Sequence, residues 1–417
     1  MLLQRDDEIK QLQSDFENSF SSLCFIFAAE KIGKTTLIQS YIHSKKSLYF
    51  CFNEMLQSIQ FKHLTHNQAL NFESFLQLLG TLCFKEKTII VFEDFHHLMK
   101  LDKNSFSILL QAWNKQLSKL NIQLLITSSN CSFYQQTLPY GFIKSIFLQA
   151  FDFRVIKKII PTKDTYLQLQ IYATFGTHIP YLKQYNLENG FYDNIKAIFL
   201  NAQLEQFHAP IHLLKSFTND IATYSSILYA IACGHTKIGE IAQFLNVKAS
   251  YLTRYLQTLM HHMIIEKKTP IFEDESSSKN GRYEFCSFHL RFWFAYIYAN
   301  LSYIHHQKKD EIIQLVEQNF NSTLLVKSYK AYILTLLKHN SKAFLDFQAT
   351  QVGSWWNHQG NSVDVVAYNK EHIGFFNCKL QSSPQANNFK DELIQNASNI
   401  KFNLNHTMKK EYGLFLL

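Results

Sequence analysis

The run Ile32-Gly33-Lys34-Thr35-Thr36 stands between an apolar stretch, residues 23–27, and a helical pattern. Those residue types at such a junction can hold phosphate. Backbone N–H groups at a helix start face the anion, the lysine neutralises it, and the hydroxyl that follows helps to hold Mg²⁺. Gly33, Lys34, Thr35 and Thr36 are therefore expected to bind ATP, with Thr35 also at the metal. The first glycine of the full G-x-x-x-x-G-K-[ST] pattern is replaced by Ala28. The turn there must be made with a Cβ present, which negative φ allows.

A loop of this kind needs a carboxylate from a second strand for the Mg²⁺ shell. Ile89-Ile90-Val91-Phe92-Glu93-Asp94 offers two acids at a strand end. The usual order is Asp then Glu; here Glu93 takes the metal position and Asp94 the water-polarising one. Each carboxylate is then about one methylene from its customary reach, which costs hydrolysis more than binding. A further strand, residues 122–127, ends in Ser128-Ser129-Asn130, and Ser128 is expected to orient water or sense the γ-phosphate. Only five arginines occur, at positions 5, 154, 254, 282 and 291. Arg5 and Arg154 are thus the sole arginine-finger candidates in the first 215 residues, and slow turnover is expected.

The elements that must position these groups follow from periodicity. Residues 5–16 form an amphipathic helix pattern, strand signals lie at 23–27, 47–51, 88–92 and 122–127, and helical segments at 70–83 and 104–119 fall between them. Alternation of this type predicts a parallel, doubly wound α/β sheet. Residues 151–215 read as helical throughout, a lid. From 223 the order is helix, helix (237–245), turn at Asn246-Val247, helix (250–260), strand (263–266), polar loop and strand (282–285), which predicts a winged helix-turn-helix. Its loop, residues 273–281 with Ser-Ser-Ser-Lys-Asn-Gly, is expected to be a flexible wing. The rest is helical, then shows strand signals at 363–368, 373–380 and 412–417 around a helix at 389–399.

Composition narrows the classes. Hydrophobic residues make up 47% and charged residues 18% of 417 residues, as in globular chains. The balance of 41 Lys and Arg against 33 Asp and Glu gives +8, spread along the chain and almost all lysine, which is weak support for an acidic partner. Seven scattered cysteines with no C-x-x-C pair suggest neither disulfides nor zinc. The histidine pairs 96/97, 261/262 and 305/306 lack metal spacing. Neither a signal peptide nor a membrane span is read, so the expectation is a cytoplasmic protein. Oligomeric state is not legible.

Taken with Arg5-x-x-Glu8-Ile9-x-x-Leu12, Val91-Phe92-Glu93-Asp94-Phe95, Thr127-Ser128-Ser129, Leu290-Arg291-Phe292-Trp293-Phe294 and Val352-Gly353-Ser354-Trp355-Trp356, the phosphate loop resembles the archaeal-type P-loop ATPases of the AAA/STAND group. The resemblance spans nearly the whole chain. It implies a P-loop ATPase domain at 1–150, a helical lid at 151–215, a winged helix domain at 216–304 and a degenerate restriction-endonuclease-like domain at 305–417. Gly176-Thr177-His178-Ile179-Pro180 only loosely resembles the family's Gly-Gly-x-Pro lid segment. Ala28, the Glu93-Asp94 order and Phe142, where the family often has arginine, depart from it at the nucleotide site.

In the terminal domain the resemblance implies a nuclease pattern of an Asp and a Glu-x-Lys around Mg²⁺. Asp364 and Lys379 match, the glutamate position is Asn377, and Lys327 stands where the family often has an upstream acid. With one carboxylate left, cleavage is not expected, because Mg²⁺ needs clustered hard oxygens. Trp355 and Trp356 can pack in a core or stack on a base. On the third helix of the winged fold, Arg254 and Gln257, with Lys268 beside the wing, would contact double-stranded DNA; alternatively the winged helix packs against the ATPase and relays nucleotide state. Double-stranded DNA and a protein are both open as partners. Two functions remain open: a slow or degenerate switch ATPase coupled to a winged helix, or a DNA-binding regulator or defence protein with a vestigial ATPase.

Overall fold

A computed structural model describes residues 5–52, 71–274, 277–380, 389–400 and 408–417. Residue 70 of the expected 70–83 helix, and Glu275 and Ser276 of the expected wing, lie outside these. The chain divides into two compact units, Met1–Gln149 with His261–Ile264, and Ala150–Met260 with Ile265–Leu417.

In the first unit, helix α1 (Asp6–Glu17) precedes strand β1 (Ser22–Phe27), followed by α2 (Lys34–Ile42), β2 (Ser47–Cys51), α3 (Phe72–Gly80), β3 (Thr88–Glu93), α4 (Phe95–Leu101), α5 (Ser105–Lys115), β4 (Ile122–Ser128) and β5 (Ile143–Phe147). The strands form one sheet in the order β2-β3-β4-β1-β5. All four pairings are parallel. Parallel strands covered on both faces read as unbroken apolar runs, as β1, β3 and β4 do. Alternate residues serve two cores. Phe25, Phe27, Phe92, Leu124 and Ile126 pack with Phe75 and Leu76 of α3 and Leu109 and Trp113 of α5. Cys24, Ile26, Val91 and Leu125 pack with Leu12 of α1 and Leu37, Ile38 and Tyr41 of α2. The phenylalanine-rich side is locked by edge-on ring pairs such as Phe25 and Phe106, 5.9 Å apart.

Strand β5 is not expected from sequence. Its Ile-Lys-Ser-Ile-Phe pattern is only partly buried because it closes the sheet edge, so the apolar run that marks the inner strands is missing.

The second unit begins with helices α6 (Arg154–Ile159), α7 (Thr165–Phe175), α8 (Phe191–Phe199) and α9 (Glu205–Lys215). Helices α10 (Ile221–Ala232), α11 (Ile238–Phe244) and α12 (Ala249–His261) lead to an antiparallel pair, β6 (Ile265–Lys268) and β7 (Arg282–Phe285). β6 starts two residues later than the sequence pattern suggests, since Met263 sits at φ +54 and cannot extend a strand. Helices α13 (Phe288–Phe292), α14 (Lys309–Phe320) and α15 (Val326–Asn340) follow. The chain then forms β8 (Gln351–Trp356), β9 (Ser362–Tyr368), β10 (His372–Lys379), α16 (Phe389–Ser398) and β11 (Lys409–Leu416).

These last strands make a mixed sheet in the order β11-β10-β9-β8, with β10 and β11 parallel and the other pairs antiparallel. Val363, Val366, Ile373 and Phe375 of the sheet pack with Leu393 and Ala397 of α16. β8 is not legible in the sequence either, because Gly353 and Ser354 interrupt its apolar pattern. The described part of the loop before β7 is not a free wing. Ile271 donates its N–H to Ser354 O at 2.8 Å, and Trp356 Nε1 donates to Asn280 O at 2.7 Å. Trp355 and Trp356 are each 6% exposed, so they are core residues rather than base-stacking platforms. No helix among the described residues is long and apolar enough to cross a membrane.

Candidate nucleotide site

The carboxyl ends of β1, β3 and β4, three neighbours in the sheet, carry the residues singled out above. The loop after β1 needs positive φ at two places, Lys31 (φ +61) and Gly33 (φ +96). A Cβ at Gly33 would meet nothing within 4 Å, so the backbone angle, not space, calls for glycine there. Ala28 does not take a positive φ. Its N–H donates to Ser128 O at 3.1 Å, so the missing glycine is accommodated by extending the β1–β4 pairing.

Lys34 opens α2 and is 7% exposed. Its Nζ donates to Ala28 O at 3.2 Å, Ala29 O at 3.3 Å and Ser129 Oγ at 2.5 Å. Burial pulls its pKa below the usual lysine range, and Asp94, Glu30 and Glu93 act against that pull. Thr35 donates its hydroxyl to Glu93 Oε1, and Tyr49 on β2 donates its hydroxyl to Glu93 Oε2. Both oxygens of that carboxylate are therefore aimed by neighbours. Thr36 is exposed on the first turn of α2.

Asp94 takes φ +54 and forms the N-terminal boundary of α4. Its N–H donates to Thr127 Oγ1 at 3.0 Å, which fixes the turn after β3 to the end of β4. Burial raises the Asp94 pKa and Lys34 opposes the rise. A carboxylate poised this way is a better proton acceptor at neutral pH than a solvated aspartate.

Several known proteins resemble this chain. A family model described as "Archaea bacterial proteins of unknown function", DUF234, matches residues 293–390. A Methanocaldococcus jannaschii protein described as uncharacterized is 28% identical over 389 residues, spanning 88% of this chain and 84% of its own length. Among solved structures, a Walker-type ATPase of Pyrococcus abyssi matches at TM-score 0.51 and 14% identity, over 70% of this chain and 96% of that one. A Thermotoga maritima RuvB variant, 13% identical, matches over 63% of this chain and 90% of that one at TM-score 0.34, below the level of a shared overall fold. The five-stranded parallel sheet has the fold of a P-loop NTPase.

Around the P-loop, several of the side chains read from sequence make other contacts than expected. Ser128 is fully buried, and its Oγ donates to Asn130 O at 2.7 Å and accepts from Asn130 N at 3.1 Å. Its hydroxyl is consumed by the turn, and it is the neighbouring Ser129 whose hydroxyl meets Lys34. Ser129 N in turn donates to His96 Nδ1 at 3.3 Å. Burial, with His97 and Lys34 adding, pushes His96 down to about 2, so its imidazole is neutral and keeps its proton on Nε2. Arg5 is not placed as a finger. It is 4% exposed, pairs with Glu8 at 3.0 Å, and its NH2 donates to Ile32 O at 3.2 Å and Gln149 O at 2.9 Å. It clamps the P-loop from behind. Arg154, in the second unit, is bidentate to Asp152.

Sequence reasoning missed Tyr49, Ser129 and His96. No motif marks Tyr49; it reaches Glu93 because β2 lies beside β3 with Tyr49 opposite Val91. Strand order is invisible in a linear pattern.

The other candidates lie in the second unit. Arg254 and Gln257 are exposed on α12. The Arg254 guanidinium donates to Tyr255 Oη at 2.8 Å and lies 4.7 Å from that ring centre. Lys268 is held by Glu284 at 2.9 Å and Glu266 at 3.2 Å, within its own two-stranded sheet. It is thus committed to its neighbours, unlike the free DNA contact expected. Asp364 on β9 accepts from Lys330 Nζ at 3.1 Å and from Cys378 N at 3.0 Å, and Asn377 Oδ1 accepts from Asp364 N at 3.4 Å. Lys379 is half-buried at the end of β10. Lys330 thereby occupies the carboxylate that a nuclease would give to Mg²⁺. Among the described residues no three His, Cys, Asp or Glu cluster to hold a metal.

Proposed function

We propose that this chain binds Mg-ATP at the P-loop and works as a slow nucleotide switch rather than a rapid ATPase. The observation that carries the reading is that the first turn of α2 bonds to the ends of two neighbouring strands, Lys34 to Ser129 just after β4 and Thr35 to Glu93 of β3. Mg²⁺ held there by Thr35 and Glu93 would neutralise phosphate charge. A threonine hydroxyl and one carboxylate fit that ion, which keeps most of its shell as water and phosphate oxygens.

Lys34 would exchange its bonds to Ala28 O and Ala29 O for phosphate oxygens. The backbone N–H groups of residues 33–36 open α2, and a helix N-terminus favours negative charge. Asp94 accepts the proton of an attacking water, but its short reach keeps turnover low, as does the lack, among the described residues, of an arginine aimed into the site. Ser129, bonded to both Lys34 and His96, registers whether the lysine is drawn to a phosphate. The segment 261–264 belongs to the same unit as the P-loop. Asn130 Nδ2 lies 3.4 Å from His262 Nε2, and Cys131 N donates to His261 O at 2.9 Å. That gives nucleotide state a route to the segment joining α12 and β6.

Calorimetry with Mg-ATP tests the reading. Binding should be weakened at least tenfold in Lys34→Ala, about 1.4 kcal/mol; equal affinity in both proteins rejects it. Turnover should rise in a Glu93→Asp/Asp94→Glu double variant if residue order limits the rate.

A second reading, a DNA-binding regulator, draws on the exposed face of α12, where Tyr251, Thr253, Arg254 and Gln257 lie. Its test is duplex binding that falls with salt and with Arg254→Ala. Binding indifferent to both removes it.

A further inference from the structure

Arg291 is a buried cation whose bonding is incomplete. It is 8% exposed on α13, and its Nε has no hydrogen-bond partner. A guanidinium in that position is unfavourable unless an anion reaches it. Two more cations share its surroundings within the second unit, Arg282 on β7 and Lys327 at the start of α15. Lys327 senses Arg291, Glu284, Lys330 and Arg282. Arg282 lies over the Trp356 ring, 4.7 Å from its centre, a cation–π contact that holds the guanidinium beside β8.

The nearby carboxylates are already committed. Asp364 is held by Lys330 at 3.1 Å, and Glu284 by Lys268 at 2.9 Å. Glu240 is held by Lys237 at 3.7 Å and by the N–H groups of Thr236 and Lys237. Among the described residues, Arg282, Arg291 and Lys327 make no ion pair within 4.0 Å. Burial and then the neighbouring Arg291 pull Lys327 down to about 8, as expected of an ammonium pressed against like charges. Burial alone would raise Glu284, but Lys268, with Lys327 and Arg291 beyond it, holds it at about 2. It is ionised and favours the charge on Arg282, Arg291 and Lys327, but this one carboxylate, already paired with Lys268, offsets only part of three positive charges.

We propose that Arg282, Arg291 and Lys327 form a receptor for a phosphate group, separate from the P-loop. Two planar guanidinium forks and one ammonium match an oxyanion that accepts several bonds and carries up to two charges. No residue here belongs to the ATP reading, and neither proposal rests on the other. The phosphate has two sources, a free phosphate or the backbone of a nucleic acid.

The test uses the full chain carrying Lys34→Ala, which silences the P-loop. Inorganic phosphate is titrated by calorimetry and by thermal melting, in parallel with a short labelled DNA duplex. Phosphate should bind and raise the melting temperature, and Lys327→Met or Arg282→Met should weaken binding at least tenfold. Lys338→Met, exposed on the last turn of α15, should not. Lys327→Met should also melt higher than its parent in phosphate-free buffer, since it removes repulsion; a lysine with only a structural role would melt lower. Should Arg291→Met fail to fold, the Lys327 and Arg282 variants decide the outcome without it. Duplex binding lost with the same two variants and displaced by phosphate identifies a nucleic-acid backbone as the source. Phosphate binding with no duplex binding identifies the free anion. If neither ligand responds to Lys327 or Arg282, the receptor is rejected.

Discussion

Thr35 donates its hydroxyl to Glu93 Oε1 across 58 residues of sequence, joining the first turn of α2 to the last residue of β3. Those two oxygens are what a Mg²⁺ ion would share. Replacing Thr35 by valine keeps the shape and removes the oxygen. The expected outcome is ATP affinity that no longer depends on Mg²⁺, with affinity in EDTA little changed. Calorimetry in the two buffers checks it, and an intact Mg²⁺ dependence in Thr35→Val would place the metal elsewhere.

Tyr49 holds the other oxygen of that carboxylate. Burial first, then the bond to Glu93, raises the phenol pKa, so it remains a donor throughout the neutral range. Tyr49→Phe removes the donor and leaves one carboxylate oxygen without it. A hydrogen bond to a charged group is worth about 1.5–3 kcal/mol. The variant should lose stability by about that much in urea unfolding, with weaker Mg-ATP binding because Glu93 is free to turn. Unchanged stability would mean that the phenol stays on water instead.

The histidines next to the P-loop set a pH window. Burial is the first cause in both: it pushes His96 to about 2, with His97 adding, and His262 to about 4, with Lys100 adding. An unfolded histidine titrates near 6.5. Between that value and the folded ones the unfolded chain binds more protons, so stability rises with pH there. It should be complete above pH 6.5 and fall as pH drops from 6.5 towards 4. Melting temperature followed across that range checks the sign, and His262→Gln should flatten the slope. A chain equally stable at pH 4.5 and 7 would contradict the buried neutral state.

Much of the first unit was legible because its chemistry is local. A lysine and threonine at a helix start, and two acids ending an apolar strand, are adjacent in sequence and need only the right elements around them. The partners that aim them were not legible. Tyr49, Ser129 and Arg5 act across β2–β3 pairing, the β1–β4 junction and a return of α1 to the P-loop, all set by strand order. Ser128 illustrates the limit: two neighbouring serines carry the same pattern, and only the turn at Asn130 decides which hydroxyl is spent on the backbone. In the second unit, Asp364, Asn377 and Lys379 came into view only through the family resemblance, while the decisive Lys330 lies 34 residues before Asp364 on a helix.

That lysine yields the last prediction. Asp364 is about as exposed as Lys330, 30% for each side chain, so the pair is shielded but not dry. Lys330 holds one oxygen and Cys378 N the other, and among the described residues Asp364 belongs to no cluster of three His, Cys, Asp or Glu, so a Mg²⁺ ion would find too few acids beside a competing ammonium. The full chain should therefore show no Mg²⁺-dependent cleavage of DNA, and Asp364→Ala should change nothing in that assay. Lys330→Met should cost about 1.5–3 kcal/mol, the worth of a hydrogen bond to a charged group, and should lower the melting temperature. Cleavage that requires Mg²⁺ and disappears with Asp364→Ala would show that the lysine yields to the metal, and would make this sheet a working nuclease.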